Sequence, residues 1–188
     1  MIRFKKIKWK NFLSTGDQWT EVKLNDDGTT LIVGANGAGK STVLDAICFV
    51  LFNKPYRKIT KTQLVNTTNE KGTETEIEFE IGSKQYLVRR GIKPNIFDIE
   101  IDGNMRNKEA DDRVNQKVLE EQILKLNFKS FTQIVILGSS NFIPFMQLNG
   151  PNRREVIEDL LDIKIFSAMN NIVRDKLRVV KDSVRTLE

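Results

Sequence analysis

Residues 34–41 read Gly-Ala-Asn-Gly-Ala-Gly-Lys-Ser, a complete G-x-x-x-x-G-K-[ST] pattern, and nothing else in the sequence restricts the fold as tightly. The pattern works only between a strand and a helix. Residues 30–33, Thr-Leu-Ile-Val, form a short β-rich run leading straight into Gly34. A helix is predicted from Ser41 to about Phe52, because Val43, Leu44, Ile47, Val50 and Leu51 recur three and four apart. Glycines let backbone amides curl around phosphate oxygens without Cβ clashes, and the amides of the helix N-terminus add partial positive charge. Lys40 would reach the β- and γ-phosphates and the Ser41 hydroxyl would ligate Mg²⁺. Asn36, Gly37, Ala38, Gly39 and Thr42 complete the expected cradle for ATP. The competing reading is a glycine-rich turn without a ligand; a chance match in a chain this long arises roughly once in a hundred.

Composition removes other chemistries. The 188 residues suit one globular domain with an appendage. There is no histidine, hence neither the commonest general base nor the usual zinc or haem ligand. Cys48 is the only cysteine, which excludes an internal disulfide or multi-cysteine zinc site and fits a reduced, intracellular setting. The longest apolar run, residues 46–52, is far short of the ~20 residues that span a bilayer, and no apolar segment of signal-peptide type follows the basic start. Neither membrane insertion nor secretion is expected. Catalysis would have to draw on phosphates, magnesium, amides and carboxylates.

The net charge of +5 is unevenly placed. Arg3, Lys5, Lys6, Lys8 and Lys10 crowd the first ten residues without an acid, and Lys54, Arg57, Lys58 and Lys61 form a second basic run. Glu74, Glu76, Glu78 and Glu80 alternate with Ile77, Phe79 and Ile81, as on the wet face of a half-buried strand. The basic blocks admit two readings, a solvated strand face and loop, or contact with nucleic acid.

Ile2, Phe4, then Ile7 and Trp9 suggest an early strand. Alternating segments at 76–81, 86–90 and 96–101, the last closed by Asp102-Gly103, predict an antiparallel meander. A helix is expected over 108–126 from Ala110, Val114, Val118, Ile123 and Leu126, then another apolar run over 131–137 around Gln133. After Gly150-Pro151 the chain reads as helical. Its last stretch sets Ile163, Phe166, Asn170, Val173, Leu177, Val180, Val184 and Leu187 alternately three and four apart, the 3.5-residue seam of a coiled-coil strand. An ordinary amphipathic helix is the plainer reading. A seam needs a partner, so either the chain stops partway along an arm or the helix dimerises with another copy.

A small nucleotide kinase or GTPase fits poorly, since 33 residues precede the loop and no Asn-Lys-x-Asp segment is present. The opening Ile7-Lys8-Trp9-Lys10-Asn11-Phe12-Leu13-Ser14, the loop Asn36-Gly37-Ala38-Gly39-Lys40-Ser41-Thr42 and Leu44-Asp45-Ala46-Ile47 resemble the N-terminal ATPase half of SMC-like DNA repair and recombination proteins of the SbcC type, phage relatives included. Residues 52–57, 89–95, 131–138 and 153–161 are similar to the same family, so the resemblance spans nearly the whole chain.

The resemblance implies an α/β P-loop NTPase: the N-terminal lobe of an ABC-type head over residues 1–162, with a mixed sheet and an antiparallel β-subdomain, and the start of a coiled-coil arm over 163–188. It implies that Gln133 matches the Q-loop glutamine, which contacts Mg²⁺ and the attacking water; a polar residue ending a buried strand is the plainer reading. Asn11 and Phe12 would approach the base and ribose, while Leu13 stands where many relatives carry arginine. Arg57, Arg89 and Arg90 resemble residues placed to sense nucleotide or DNA, or are ordinary surface arginines. Absent from residues 1–188 are a Ser-Gly-Gly signature motif, the Asp-Glu pair of Walker B, a switch histidine and a Cys-x-x-Cys hook. Half a site is thus expected, with negligible ATP hydrolysis by the chain alone. The implied partners are the C-terminal half of the head, a second head, a nuclease subunit and double-stranded DNA ends, in the cytoplasm of a bacterium or phage-infected cell. ATP would clamp two heads and regulate access of the nuclease to DNA. The alternatives are a small P-loop nucleotide kinase and a non-catalytic nucleotide-binding module that dimerises through its coiled coil.

Overall fold

Period-two alternation builds the first part of the chain. In the computed structural model, which describes residues 2–24, 28–106, 111–136, 144–161 and 163–187, strands β1 (Ile2–Lys10), β2 (Thr20–Lys23), β3 (Thr73–Ile81), β4 (Lys84–Ile92), β5 (Ile96–Ile101) and β6 (Asn104–Met105) form one sheet in the order β2-β1-β3-β4-β5-β6. Every pairing is antiparallel. The parity of β1 changes between Phe4 and Ile7 because its register against β3 shifts between Phe4 and Lys6. A bulge there lets Phe4, Ile7 and Trp9 share one face. The β5–β6 turn places Asp102 at φ 51° and Gly103 at φ 78°, the two positive angles a type I′ hairpin demands.

One face of this sheet is apolar and receives helix α1 (Thr42–Phe52), whose Ala46, Cys48, Phe49, Val50 and Leu51 are completely buried. Ile7, Ile77, Phe79 and Val88 meet it from the sheet. The helix stops at Asn53, which is left-handed (φ 58°) and donates its N–H to Phe49 O. The other face is a ladder of charge. Lys6 pairs with Glu78 (2.7 Å), Lys8 with Glu76 (3.1 Å), Lys10 with Glu74 (3.2 Å), and Arg3 and Lys5 with Glu80 (3.4 and 2.7 Å). Arg89 approaches Glu74 and Glu76 from β4 (3.6 and 3.7 Å).

The last turn of α1 is held by a buried polar network. Arg90 Nε donates to Val50 O (3.0 Å), and Gln116 Nε2, from helix α2 (Asp112–Lys117), donates to Leu51 O (2.9 Å). Arg90 Nη2 also donates to Gln116 Oε1 (2.6 Å), with the guanidinium 3.7 Å from the Phe97 ring centroid. A cation at a helix C-terminus suits the helix dipole. Beyond α2 the chain widens into a π-helical segment, Val118–Leu124; of the helix expected over 108–126, Lys108 and Ala110 lie outside the described residues.

Two expectations fail in instructive ways. Residues 30–33 form no strand: the segment has no ladder partner among the described residues, and Leu31, Ile32 and Val33 are 84%, 45% and 80% exposed. An apolar β-rich run becomes a strand only when another edge accepts its amides and carbonyls. The mixed part of the expected sheet is accordingly not formed among the described residues. Gln133 lies in a helix, α3 (Phe128–Ile134), not beside a strand. Asn127 caps that helix by accepting from Ser130 N (2.8 Å), and Ser130 and Phe131 are its buried residues. Residues 137–143 lie outside the described residues.

The backbone divides into two units, Met1–Leu124 and Lys125–Glu188. In the second, α3 packs on α4 (Gly150–Leu160). Ser130 Oγ donates to Asp159, and Lys129 reaches Glu155 (2.6 Å). Asn149 caps α4 with Pro151 in its first turn. After a break the chain continues as α5 (Lys164–Leu187), on which Phe166, Val173, Leu177, Val180 and Val184 of the expected seam are all more than half exposed.

Candidate nucleotide-binding site

The loop preceding α1 is set by its glycines. Gly37 and Gly39 sit at φ 87° and 90°, where a side chain would be strained. A Cβ on Gly34 would come within 3.3 Å of the Ala38 Cβ. These angles turn the backbone back toward the start of α1, where Thr42 N donates to Gly39 O (2.9 Å). Lys40 folds over its own loop, donating to Gly34 O (2.7 Å) and Ala35 O (2.8 Å). Ser41 is the N-cap of α1, yet its side chain makes no capping bond, which leaves the hydroxyl suited to a metal ion.

Beside the loop opens a cavity of about 570 Å³, with Asn36, Gly37, Gly39, Lys40, Ser41 and Thr42 on one side and Leu13, Ser14, Arg57, Gln63, Val65 and Thr67 on the other. That size suits a nucleotide. Six of the expected cradle residues therefore share one cavity wall, and Ala38 lies within the same loop. The donor set fits Mg·ATP: a glycine nest, a helix N-terminus, one ammonium and one hydroxyl. Among the described residues no cluster of three or more acidic, cysteine or histidine side chains could hold a metal unaided, so Mg²⁺ would share its coordination between Ser41 and phosphate oxygens.

The opposite wall is held by asparagines. Asn11 is buried and left-handed (φ 48°), a conformation asparagine tolerates. Its Nδ2 donates to Asp17 Oδ1 (2.8 Å) and its Oδ1 accepts from Asn69 Nδ2 (2.6 Å). Asn66 Nδ2 donates to Leu13 O and Thr15 O (both 3.0 Å), while its Oδ1 accepts from Thr68 N and Asn69 N. The loop carrying Leu13 and Ser14 is thus tied to the Leu64–Asn69 segment. Gln63 Oε1 accepts from Thr60 N (2.7 Å), which points its amide donors elsewhere. Sequence reading missed Asn66 and Asn69; the Asn-Thr-Thr-Asn cluster after Leu64-Val65 was the available turn signal.

The arginines separate. Arg90 is interior, 5% exposed, and is a structural brace rather than a sensor. Burial drags its guanidinium below the usual arginine range, with Asp112 and Glu120 pulling back. Arg89 belongs to the charge ladder. Arg57 lines the cavity and is clasped by Asp45 of α1. Lys61 packs its ammonium against Phe49 (5.8 Å to the ring), and burial, then Arg90, lower its pKa. Gln133, in the second unit, is half-buried, and its Oε1 has no hydrogen-bond partner among the described residues.

With this geometry in place, comparison with known proteins is specific. A family model described as an AAA domain, AAA_23, matches residues 6–182. Exonuclease subunit 2 of Enterobacteria phage T4 is 40% identical over 170 residues, covering 90% of this chain and 30% of that protein. The DNA double-strand break repair Rad50 ATPase of Thermoplasma volcanium is 27% identical over 169 residues, 87% of this chain and 18% of the relative. The chain therefore spans a third or less of the length of these curated relatives. An Smc head domain with an extended coiled coil from Pyrococcus furiosus superposes with TM-score 0.64 at 21% identity, over 97% of this chain and 48% of that one, so the fold is that of an SMC-type head.

Proposed function

Because the chain belongs to the AAA_23 family of AAA domains and is of the SMC-like, SbcC type, we propose that it is the ATP-binding N-terminal half of the ATPase subunit of a DNA recombination and repair nuclease complex. The observation that carries this reading is the loop of residues 34–41, left-handed at Gly37 and Gly39 and opening directly into α1. In the reading, Asn36 to Thr42 cradle the phosphates, Lys40 leaves its own loop carbonyls to meet the β- and γ-phosphates, and Ser41 ligates Mg²⁺. Gln133, in the second unit, keeps the role that its match to the Q-loop glutamine implies. Mg²⁺ supplies charge neutralisation at the transferring phosphoryl group.

The partners follow from what the chain leaves uncovered. The C-terminal half of the head is assigned to the exposed Leu31-Ile32-Val33 run, which a neighbouring strand would cover. A returning coiled-coil helix is assigned to the apolar seam of α5. A second head would complete the γ-phosphate site, ATP would clamp the two heads, and the clamp would govern access of a nuclease subunit to double-stranded DNA ends. Its place is the cytoplasm; among the described residues no helix is long and apolar enough to cross a membrane. Contact with DNA phosphates is assigned to the Lys54 to Lys61 run, which carries four cations and no acid of its own.

The test is ATP turnover by the purified chain, alone and mixed with a polypeptide carrying the signature motif and Walker B. Negligible hydrolysis alone and Lys40-dependent turnover on mixing are expected. Robust Lys40-dependent turnover by the chain alone would sink the half-site reading, and phosphoryl transfer to a nucleoside acceptor would replace it with a kinase.

A further inference from the structure

We propose that the groove between α4 and α5 is an anion site that takes phosphate groups on Arg154 and Arg174, separate from the phosphate loop. A cavity of about 570 Å³ opens there, within the second unit. Residues three or four apart share a helix face, and two such polar rows line the cavity: Gly150, Arg154 and Glu158 on α4, and Ser167, Asn171 and Arg174 on α5. Ser167 Oγ donates across to Glu158 Oε1 (2.6 Å). Meanwhile Ile157 and Leu160 of α4 and Ile165 and Met169 of α5 stand in solvent. Helices that pack on each other bury apolar faces; a groove lined by polar rows suits a polar occupant instead.

The charges left unengaged in the groove are positive. Arg154 and Arg174 are exposed and make no hydrogen bond or ion pair among the described residues, whereas the neighbouring Arg153 already donates to Met146 O (3.3 Å). The acids of the cavity are occupied, Glu155 by Lys129 (2.6 Å) and Asn127 (3.0 Å), and Glu158 by Ser167. A guanidinium only donates, through five N–H groups in a planar fork that matches phosphate. The first turn of α4 is capped by Asn149, which accepts from Asn152 N (3.0 Å), so the two arginine side chains rather than the helix end would carry the anion. Pro151 is the one apolar residue lining the cavity. A nucleobase would find nothing to stack on, which favours an oligophosphate or a sugar–phosphate backbone over a nucleoside. Ser167, Asn171 and Arg174 are not among the seam positions of α5, so the groove and a partner helix draw on different residues.

The test uses the purified chain carrying Lys40→Ala, which removes the phosphate loop from the measurement and keeps this site independent of the nucleotide-binding reading. Inorganic tripolyphosphate, a short DNA duplex and oligoglutamate are titrated in by calorimetry, with folding followed by circular dichroism. Arg154→Gln and Arg174→Gln are each expected to weaken phosphate binding about tenfold, the worth of one charge-assisted contact, and together to abolish it. Loss confined to tripolyphosphate identifies a free oligophosphate as the occupant, and loss that includes the duplex identifies a nucleic-acid backbone; either supports the site. Unchanged affinity for both phosphate ligands in the double variant overturns the proposal. So does binding of neither ligand before the arginines are changed, or oligoglutamate bound more tightly than both. Should the double variant not fold, the single variants decide, and unchanged affinity in both overturns the site.

Discussion

Arg90 illustrates how a side chain's type can mislead until its surroundings are known. Next to Arg89 in sequence it has the look of a surface cation, but it closes the carbonyl end of α1 from within the core. Replacing it with alanine strands Val50 O and Gln116 Oε1, and the expected cost in urea denaturation is about 3 kcal/mol, the sum of two buried acceptors left unmade. Lys40 is the opposite case. Among the described residues its ammonium bonds to carbonyls of its own exposed loop, so Lys40→Ala should abolish nucleotide binding in a fluorescence titration while leaving the melting temperature within about 2 °C. The phosphate loop was legible because its partners are local, eight residues in a row. The Asp45–Arg57 and Asn11–Asn69 pairs were not, because they join positions 12 and 58 residues apart, and only the fold decides which acid meets which base.

At the scale of elements, alternation and its exceptions carried the most information. Strands β1, β3, β4 and β5 were readable because one face is apolar and the other charged, and the change of parity in β1 is its bulge. Residues 131–137 misled because a short apolar run has no decisive period; the Asn127 cap was the overlooked cue for α3. The charge ladder makes a pH prediction. Hydrogen bonding to Lys5 holds the Glu80 carboxyl below its ordinary 4.5, and hydrogen bonding to Glu78 holds Lys6 above its ordinary 10.5. A depressed acid contributes stability above its unfolded value and loses it as pH falls through the folded one; a raised base contributes below its unfolded value and loses it as pH rises through the folded one. The contributions of Glu80 and Lys6 are thus fully present between about pH 4.5 and 10.5. Glu80→Gln should lower the urea midpoint at pH 7, and the difference from the unaltered chain should shrink as pH falls below 4.5. Convergence at pH 7 instead would mean that the pairs add nothing.

For the molecule as a whole, the exposed surfaces say what the isolated chain should do. Leu31 and Val33 stand in solvent, as few apolar runs do on a monomer. Changing both to lysine should leave folding intact and improve solubility, yet prevent association with the other half of the head in a pull-down. Leu177 and Val180, near the middle of α5, make a separable prediction. Aspartate at both should abolish any self-association seen by analytical ultracentrifugation without altering nucleotide affinity, since α5 belongs to the unit that does not contain the phosphate loop. The ladder on β1 and β3 bears finally on how the molecule meets a polyanion. Cations that each face a carboxylate cancel at a distance, leaving little potential beyond the ~8 Å over which salt screens charge. Residues 54–61 carry four cations and no acid, of which Arg57 is balanced by Asp45, so the run as a whole would supply the longer-range pull on a polyanion beside the nucleotide cavity. By staying electrically quiet, the broad face of the sheet would leave an approaching polyanion to be drawn toward that edge instead.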